Sequence, residues 1–314
     1  MIYLVFPTSW HPSQPYLSLP SLKAFLNMHG VHDVVQRDLA IELLNDLCTW
    51  EKTKPLYERI IRELNELSSR PRLTQVEAEK FNKLREAEEI VMALKDQIDS
   101  AVASQRSQEF YDLDQYMENL KIMDVWLDNI LAPYYPSQLT VIGSQMRFSP
   151  YSSQEVIDSF NHPEENFFYD LYEQWYLPGI LEEDIDILGI SITSVEQIIS
   201  GLTLAYLVKK NRPEIHITIG GSVFTKLVDR LEQDGSHLFN FVDSFVVHEG
   251  ETPLLRLVEQ LRGDGDLSKV PNLIYRQEGE VIVNRPFAKE ELNALPTPDF
   301  DGLPLDLYLS PDRV

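Results

Sequence analysis

Small and polar residues cluster at four points of the sequence where an apolar, strand-like run ends. Hydroxyl groups can donate and accept hydrogen bonds, and glycines let a flat ligand approach bare backbone. In open parallel sheets, ligands bind beyond the carboxyl ends of the strands. We therefore predict one binding site built from four loops. Its candidate residues are Thr8, Ser9, Gln14, Ser191, Thr193, Ser194, Gly220, Gly221, Ser222, His248, Glu249, Gly250 and Glu251.

Three of these loops also have a purely structural explanation. Thr193 and Glu196 have the spacing of a helix capping box. The pair at residues 220–221 permits a strained turn as well as close approach of a ligand. The carboxylates within residues 248–251 precede a helix whose N-terminal dipole favours negative charge. Either explanation is open at each of these positions.

The loop after the first strand, residues 7–15, is long and aromatic and has no G-x-G-x-x-G sequence. That glycine pattern provides the tight turn and the close backbone approach that dinucleotide pyrophosphates require. The sequence therefore lacks a dinucleotide fingerprint.

The elements that must position these loops alternate between strand and helix. Continuous apolar strands separated by helices indicate a parallel sheet covered on both faces. We predict an α/β fold with a doubly wound, five-stranded parallel sheet. Its strands are expected at residues 2–6, 31–39, 185–192, 215–219 and 244–247. Its helices are expected at residues 16–28, 195–210, 223–233 and 254–261, the last with Thr252 as N-cap and Pro253 at its first position.

The chain is expected to divide into four parts: residues 1–49 and 151–262 form the α/β domain, residues 50–150 a helical insertion, and residues 263–314 a hairpin followed by an extended connector. The hairpin should turn at Glu278 and Gly279. The insertion carries two apolar stripes at helical spacing, which predict packing on each other or on the main domain. A partner-binding or substrate-capping lid is the alternative. The stripes are Phe81, Leu84, Val91, Leu94 and Ile98, and Tyr116, Leu120, Met123, Trp126, Leu127 and Ile130.

Charge and cysteine content restrict the function further. The formal net charge is −23, and residues 148–208 contain no Lys or Arg. This charge distribution disfavours binding to nucleic acid or anionic membranes. The apolar start of the chain stops at Pro7 and is too short for a membrane span, so we expect a cytoplasmic protein. Cys48 is the single cysteine; it is expected to be buried and excludes a cysteine-rich zinc or iron–sulfur site.

Three motifs occur in a characteristic order: Gly-Ile-Ser-Ile-Thr at residues 189–193, Gly-Gly-Ser at 220–222 and Glu-Gly-Glu at 249–251. In this order they resemble the cobalamin-binding domains that precede radical S-adenosylmethionine (radical SAM) cores. The same resemblance covers PSLKAFL, VPNLIYR and the connector LPTPDFDGLPLDLYLSP. It implies a Rossmann-like cobalamin-binding fold.

The resemblance also implies where the cofactor lies. The corrin would contact residues 8–14 and 248–251, with the nucleotide tail beside Ser191, Thr193 and the glycine pair. A related cobalamin group supplies an axial histidine from Asp-x-His-x-x-Gly, a sequence that is missing here. We therefore expect base-off cobalamin without a protein histidine on cobalt. His11 and His248 lie in loops from which either could approach the cobalt, but a lone loop histidine is more often a surface or hydrogen-bonding residue, so no metal ligand is predicted.

In the resembling family, the connector leads to a Cys-x-x-x-Cys-x-x-Cys motif that ligates an iron–sulfur cluster and, through it, S-adenosylmethionine. This sequence ends at Val314 before such a motif, so we expect a fragment or truncated product that is not catalytic alone. Methyl transfer or radical rearrangement would belong to the absent radical SAM core, in cis or in trans. The alternative is a flavodoxin-like interaction or scaffold module that binds no corrinoid.

Overall fold

A computed structural model describes residues 1–311, apart from the side chain of Asp234. Its described residues form nine strands and thirteen α-helices. The strands are β1 Ile2–Phe6, β2 Val34–Asp38, β3 Gln138–Leu139, β4 Ser144–Gln145, β5 Ile187–Ser191, β6 His216–Gly220, β7 Ser244–Val246, β8 Leu273–Gln277 and β9 Glu280–Val283. The helices are α1 Ser18–Met28, α2 Leu39–Leu47, α3 Trp50–Ser68, α4 Gln75–Leu94, α5 Ile98–Gln105, α6 Leu113–Ile130, α7 Ser153–Ser159, α8 Phe167–Leu171, α9 Leu177–Glu182, α10 Gln197–Asn211, α11 Ser222–Lys226, α12 Val228–Asp234 and α13 Glu251–Arg262.

The main sheet is mostly parallel and has the strand order β2-β1-β5-β6-β7-β8-β9. β2, β1, β5, β6 and β7 pair in parallel, whereas β8 pairs antiparallel with β7 and β9 antiparallel with β8. The α/β class is confirmed, but the sheet has seven strands rather than the predicted five. The difference arises because the C-terminal hairpin pairs with β7, placing Ile274 opposite Phe245.

Helices pack against both faces of this sheet. On one face, the side chains of β1 and β5 pack with α1 and α13, and Leu4, Leu19 and Leu254 belong to one buried cluster. On the other face, Val5 and Ile190 belong to a second cluster that also includes residues of α10 and of the insertion. Strand residues alternate between these two clusters, as the twofold period of a strand requires.

The insertion helices share a core with the sheet. Trp126 of α6 is fully buried, and its Nε1 donates a hydrogen bond to the Leu47 carbonyl oxygen at 2.7 Å. Leu84 and Val91 of α4 are buried in the same cluster as Val5 of β1. The stripes therefore pack on each other and on the main domain, as one of the two interpretations expected. The first stripe spans two helices, because α4 ends at Leu94 and Ile98 begins α5.

Two predicted helix caps are wrong. α10 begins at Gln197, whose Oε1 accepts hydrogen bonds from the Thr193 and Ser194 amides, so Gln197 replaces Glu196 in this role. α13 begins at Glu251 with Gly250 as its N-cap residue, while the Thr252 amide and hydroxyl donate to Glu290. The predicted helix at residues 223–233 divides into α11 and α12. The hydrogen-bond partner of Thr252 is distant in sequence, which explains why local spacing did not identify it.

The predicted extended connector is extended only up to about residue 300; from there to residue 309 it forms consecutive turns, and it is bound along its length. Gln36 Nε2 donates to the carbonyl oxygens of Asp299 (2.8 Å) and Asp301 (2.9 Å). Tyr308 donates its hydroxyl to Asp38 at 2.7 Å, and the Leu309 amide donates to Pro12. These contacts fix the connector against β2 and the loop after β1. Across residues 1–311, no helix has both the length and the apolar character of a membrane span.

Candidate functional site

A pocket of about 360 Å³ lies at the carboxyl ends of β5, β6 and β7, between the sheet and helices α1 and α13. Nine of the thirteen predicted site residues line it, so the structure brings together the loops after β5, β6 and β7. These nine are Ser191, Thr193, Gly220, Gly221, Ser222, His248, Glu249, Gly250 and Glu251. The remaining lining residues are Leu4, Tyr16, Ser18, Leu19, Leu22, Gly189, Ile190, Thr218, Thr225, Val246 and Leu254.

Small residues on the sheet form the pocket floor. Leu4, Gly189 and Thr218 lie side by side on neighbouring strands, and Ser191 and Gly220 form the next row toward the strand ends. Leu19 and Leu254, from α1 and α13, provide apolar walls. A Cβ atom at Gly189 would lie 2.8 Å from Leu4 Cδ2, so this glycine makes room for the Leu4 side chain on the neighbouring strand.

The two adjacent glycines have different roles. Gly221 has φ +110°, and a Cβ atom there would lie 2.1 Å from the Ile192 carbonyl oxygen, so backbone packing requires glycine. At Gly220, the nearest atom to an added methyl group would be the Val246 carbonyl oxygen at 3.7 Å, an ordinary contact. Gly220 thus keeps the pocket open, whereas Gly221 allows two loops to touch.

Hydroxyl groups at the rim tie neighbouring elements together. Ser191 Oγ donates to Ser18 Oγ at 2.9 Å, which joins the end of β5 to the start of α1. Ser222 Oγ donates to the Thr193 carbonyl oxygen at 2.9 Å, which joins the loops after β6 and β5. These side chains hold the rim in place and present oxygen atoms beside the pocket.

The loop after β7 makes the remaining side of the rim acidic. His248 has φ +62°, its amide donates to Thr225 Oγ1 at 2.7 Å, and its ring packs on Phe287 with 4.2 Å between centroids. Burial raises the pKa of Glu251, and the nearby charges of Glu290 and Glu249 act in the same direction. Among the described residues, the pocket lining contains no Lys or Arg. The site therefore lacks the cations that bind phosphate-rich ligands.

Four predicted residues lie outside the pocket lining. Thr8 and Ser9 are buried, and Thr8 Oγ1 lies 2.8 Å from the Tyr172 hydroxyl, so the loop after β1 turns them into the core. Gln14 is exposed to solvent. The Ser194 amide donates a hydrogen bond to Gln197 Oε1 at the start of α10. All four follow strands, which is why the sequence predicts ligand contacts for them, but the path of each loop directs them elsewhere.

An aromatic cluster beside the mouth was not predicted from the sequence. The ring of Phe6 stacks on Tyr16 with 5.2 Å between centroids, and Trp10 packs edge-on against both rings. Leu17, which follows Tyr16, has 56% of its surface exposed. The signal available in the sequence was Trp10 in the loop after β1, with Phe6 and Tyr16 directly at its two ends.

The histidines and acidic residues outside the pocket form ordinary contacts. His11 Nδ1 lies 3.0 Å from Ser13 Oγ, in a loop that lines a different, smaller cavity. Three potential metal ligands converge at His162, Glu164 and Glu165, but Glu165 is paired with Arg147 and His162 with Glu164. These pairings account for the cluster without a metal ion.

A hydrogen-bonded chain leads from the pocket floor into the sheet. Thr218 lines the pocket, and its Oγ1 accepts from Ser244 Oγ at 3.0 Å. Ser244 is fully buried, and its Oγ lies 2.9 Å from His216 Nε2. Burial lowers the pKa of His216 to about 4, so its imidazole is neutral near pH 7. No local sequence pattern indicates this chain, because its three members lie on two strands and are brought together only by register.

No family model matches this sequence, and no curated protein matches it significantly.

Proposed function

We propose that this chain is a cobalamin-binding module, with the pocket receiving the nucleotide tail of the cofactor. The observation that carries the proposal is the open space that Gly220 leaves at the ends of β5 and β6. A bulky side chain there would fill it. The open space and the motif resemblance together also favour a doubly wound, Rossmann-like cobalamin-binding fold.

The size and polarity of the pocket suit part of a large ligand. Its volume of about 360 Å³ lies near the lower end of the roughly 300–1,000 Å³ range of small-molecule sites. A planar base with its sugar fits this space better than a corrin ring does. Apolar walls would contact the faces of the base, and Ser191 and Thr193 would face the sugar and its linkage. The residues present therefore fit the tail.

The corrin would lie outside the pocket, over its rim. Leu17 and Tyr16 offer apolar and aromatic surface at one side, and residues 248–251 offer the acidic side. When bound, cobalamin supplies a cobalt centre for methyl transfer or radical chemistry. The acidic rim favours a cationic ligand over an anionic one. Base-off binding without a protein histidine on cobalt is part of this proposal.

The iron–sulfur chemistry of a parent enzyme would come from another polypeptide segment, in cis or in trans. Cys48 is the single cysteine of the chain and is buried, and burial raises its thiol pKa. One buried thiol does not fit a cluster that needs several thiolates. The radical SAM core and S-adenosylmethionine thus belong to the proposed partner of this module.

Gel filtration with hydroxocobalamin tests the proposal. The wild-type chain should retain a corrinoid absorbance at micromolar ligand, and Gly220→Leu should lose it while keeping the wild-type circular dichroism spectrum. Gly179→Leu is the matched control, because Gly179 is exposed on α9 with open space around it. A folded wild-type chain that retains no corrinoid would refute the proposal and favour the interaction module.

A further inference from the structure

The hydrogen bonds that join Thr218, Ser244 and His216 determine which ligand group the pocket floor can bind. Thr218 is only 3% exposed, so it lies deeper than the rim hydroxyls. The rest of the floor beside it is built from glycine and aliphatic side chains. A ligand group at this depth therefore meets one hydroxyl in otherwise apolar surroundings.

The hydrogen-bond directions leave Thr218 able to donate. A hydroxyl has one proton and two lone pairs, and a neutral imidazole has one donor and one acceptor nitrogen. With Ser244 donating to Thr218, His216 Nε2 must donate to Ser244. Thr218 then keeps its own proton, for which no acceptor occurs among residues 1–311. A buried donor without an acceptor is unfavourable, so an acceptor on the ligand would be bound at this point.

We propose that the pocket floor recognises a planar nitrogen heterocycle, whose ring nitrogen accepts a hydrogen bond from Thr218 while Ser244 and His216 act as positioning residues for that hydroxyl. The inference rests on the proposed function for one point alone, namely that the heterocycle belongs to a larger ligand, cobalamin. Flat apolar surfaces suit the faces of the ring, and the single polar contact suits its nitrogen edge.

The test compares two cobamides that differ in the lower base, one with dimethylbenzimidazole and one with p-cresol, which has no ring nitrogen. The ratio of the two affinities, the first over the second, should be about tenfold higher in wild type than in Thr218→Val, a typical effect of one buried hydrogen bond. The cost of displacing the lower base from cobalt, which only the first cobamide has, is the same in both proteins and cancels in this comparison. Thr218→Ser should keep the wild-type ratio because it keeps the hydroxyl. Ser244→Ala and His216→Phe should reduce the ratio about threefold.

Thr203→Val is the matched control, since Thr203 is a fully buried threonine away from the pocket whose hydroxyl accepts from Asn166 at 3.1 Å. It should leave the preference unchanged. An affinity ratio that is unchanged in Thr218→Val would overturn the inference. If Thr218, Ser244 and His216 had only a structural role, their substitution would weaken the binding of both cobamides equally. That outcome would also overturn the inference.

A second arm separates this inference from the proposed function. Free 5,6-dimethylbenzimidazole is titrated against wild type and Thr218→Val and followed by ligand-observed NMR. If wild type retains no cobalamin but binds the free base in a Thr218-dependent way, the function is refuted and the inference stands. If wild type binds neither cobalamin nor the free base, both are refuted.

Discussion

Gly221 illustrates how a single hydrogen in place of a methyl group can decide whether two loops fit together. Its φ of +110° and the 2.1 Å approach that a Cβ would make to the Ile192 carbonyl both exclude larger residues. Gly221→Ala should therefore lower the free energy of unfolding by about 1–3 kcal/mol. Urea unfolding followed by circular dichroism measures this change.

Gly220→Ala provides the comparison on the same turn. Its methyl group would meet only the Val246 carbonyl oxygen, at 3.7 Å, so the free energy of unfolding should change by less than about 1 kcal/mol. Equal destabilisation by the two substitutions would show that Gly221 has no special backbone requirement.

A buried carboxyl group in β2 should make stability depend on pH. Burial raises the pKa of Asp38 to about 6, which outweighs its hydrogen bonds from Tyr308 and from two helix amides. An unfolded aspartate has a pKa of about 3.9, so the folded state binds more protons between these values. Asp38 therefore favours folding at low pH, and this contribution is lost as the pH rises from about 4 to about 6.

Asp38→Asn removes this titration and keeps a side-chain oxygen that can accept from the Ala40 and Ile41 amides. Relative to wild type, the variant should gain free energy of unfolding as the pH is raised from about 4 to about 6.5. Parallel urea series at several pH values provide the measurement. His216 titrates identically in both proteins and cancels, so two parallel stability curves would contradict the raised pKa.

Nine of the twenty residues that line the pocket could be predicted from the sequence, but their individual roles could not. Loops after parallel strands meet at one sheet edge, and this rule placed residues 191, 220 and 248–251 together. It could not separate Gly220 from Gly221, because the distinction depends on the Ile192 carbonyl, which approaches from another loop. It also missed Thr218, whose partners become neighbours only through strand register.

Among the secondary-structure elements, the strands were predicted more accurately than the sheet they form. Apolar runs identified β1 and β5 to β7, and the turn at Glu278 and Gly279 lies as expected, with both residues at positive φ. The hairpin's pairing with β7 was not predicted, because an exposed edge of the sheet accepts a strand in either direction. Sheet size therefore depended on a long-range contact that local periodicity does not report.

The insertion should unfold together with the sheet, because Trp126 and Val5 belong to one continuous core. Trp126→Ala removes a fully buried side chain and its hydrogen bond to Leu47, which should cost about 3–5 kcal/mol. Val76→Ala on α4 is the control, since Val76 is 65% exposed. Hydrogen exchange should show faster opening in both β1 and α6 of Trp126→Ala. Faster exchange confined to α6 would indicate an independent insertion.

For the molecule as a whole, charge selects among ligands that would fit the same pocket. The chain has a formal net charge of −23, and the pocket rim carries Glu249 and Glu251 without a lysine or arginine in the described lining. A surface potential of this sign raises the local concentration of cations and lowers that of anions. Flavin mononucleotide, whose phosphate is dianionic, should be excluded although its ring is planar.

Aquacobalamin is cationic, so the same field should favour its binding, and the preference should weaken as salt screens the exposed charges. Retention is measured at low and high ionic strength for aquacobalamin and flavin mononucleotide in parallel. We expect aquacobalamin to bind less tightly in high salt and the flavin not to bind in either condition. Glu249→Gln should reduce the salt dependence of aquacobalamin binding, whereas Glu278→Gln, at the distant hairpin turn, should leave it unchanged. Flavin retention comparable to that of aquacobalamin would mean that shape, rather than charge, determines which ligand enters.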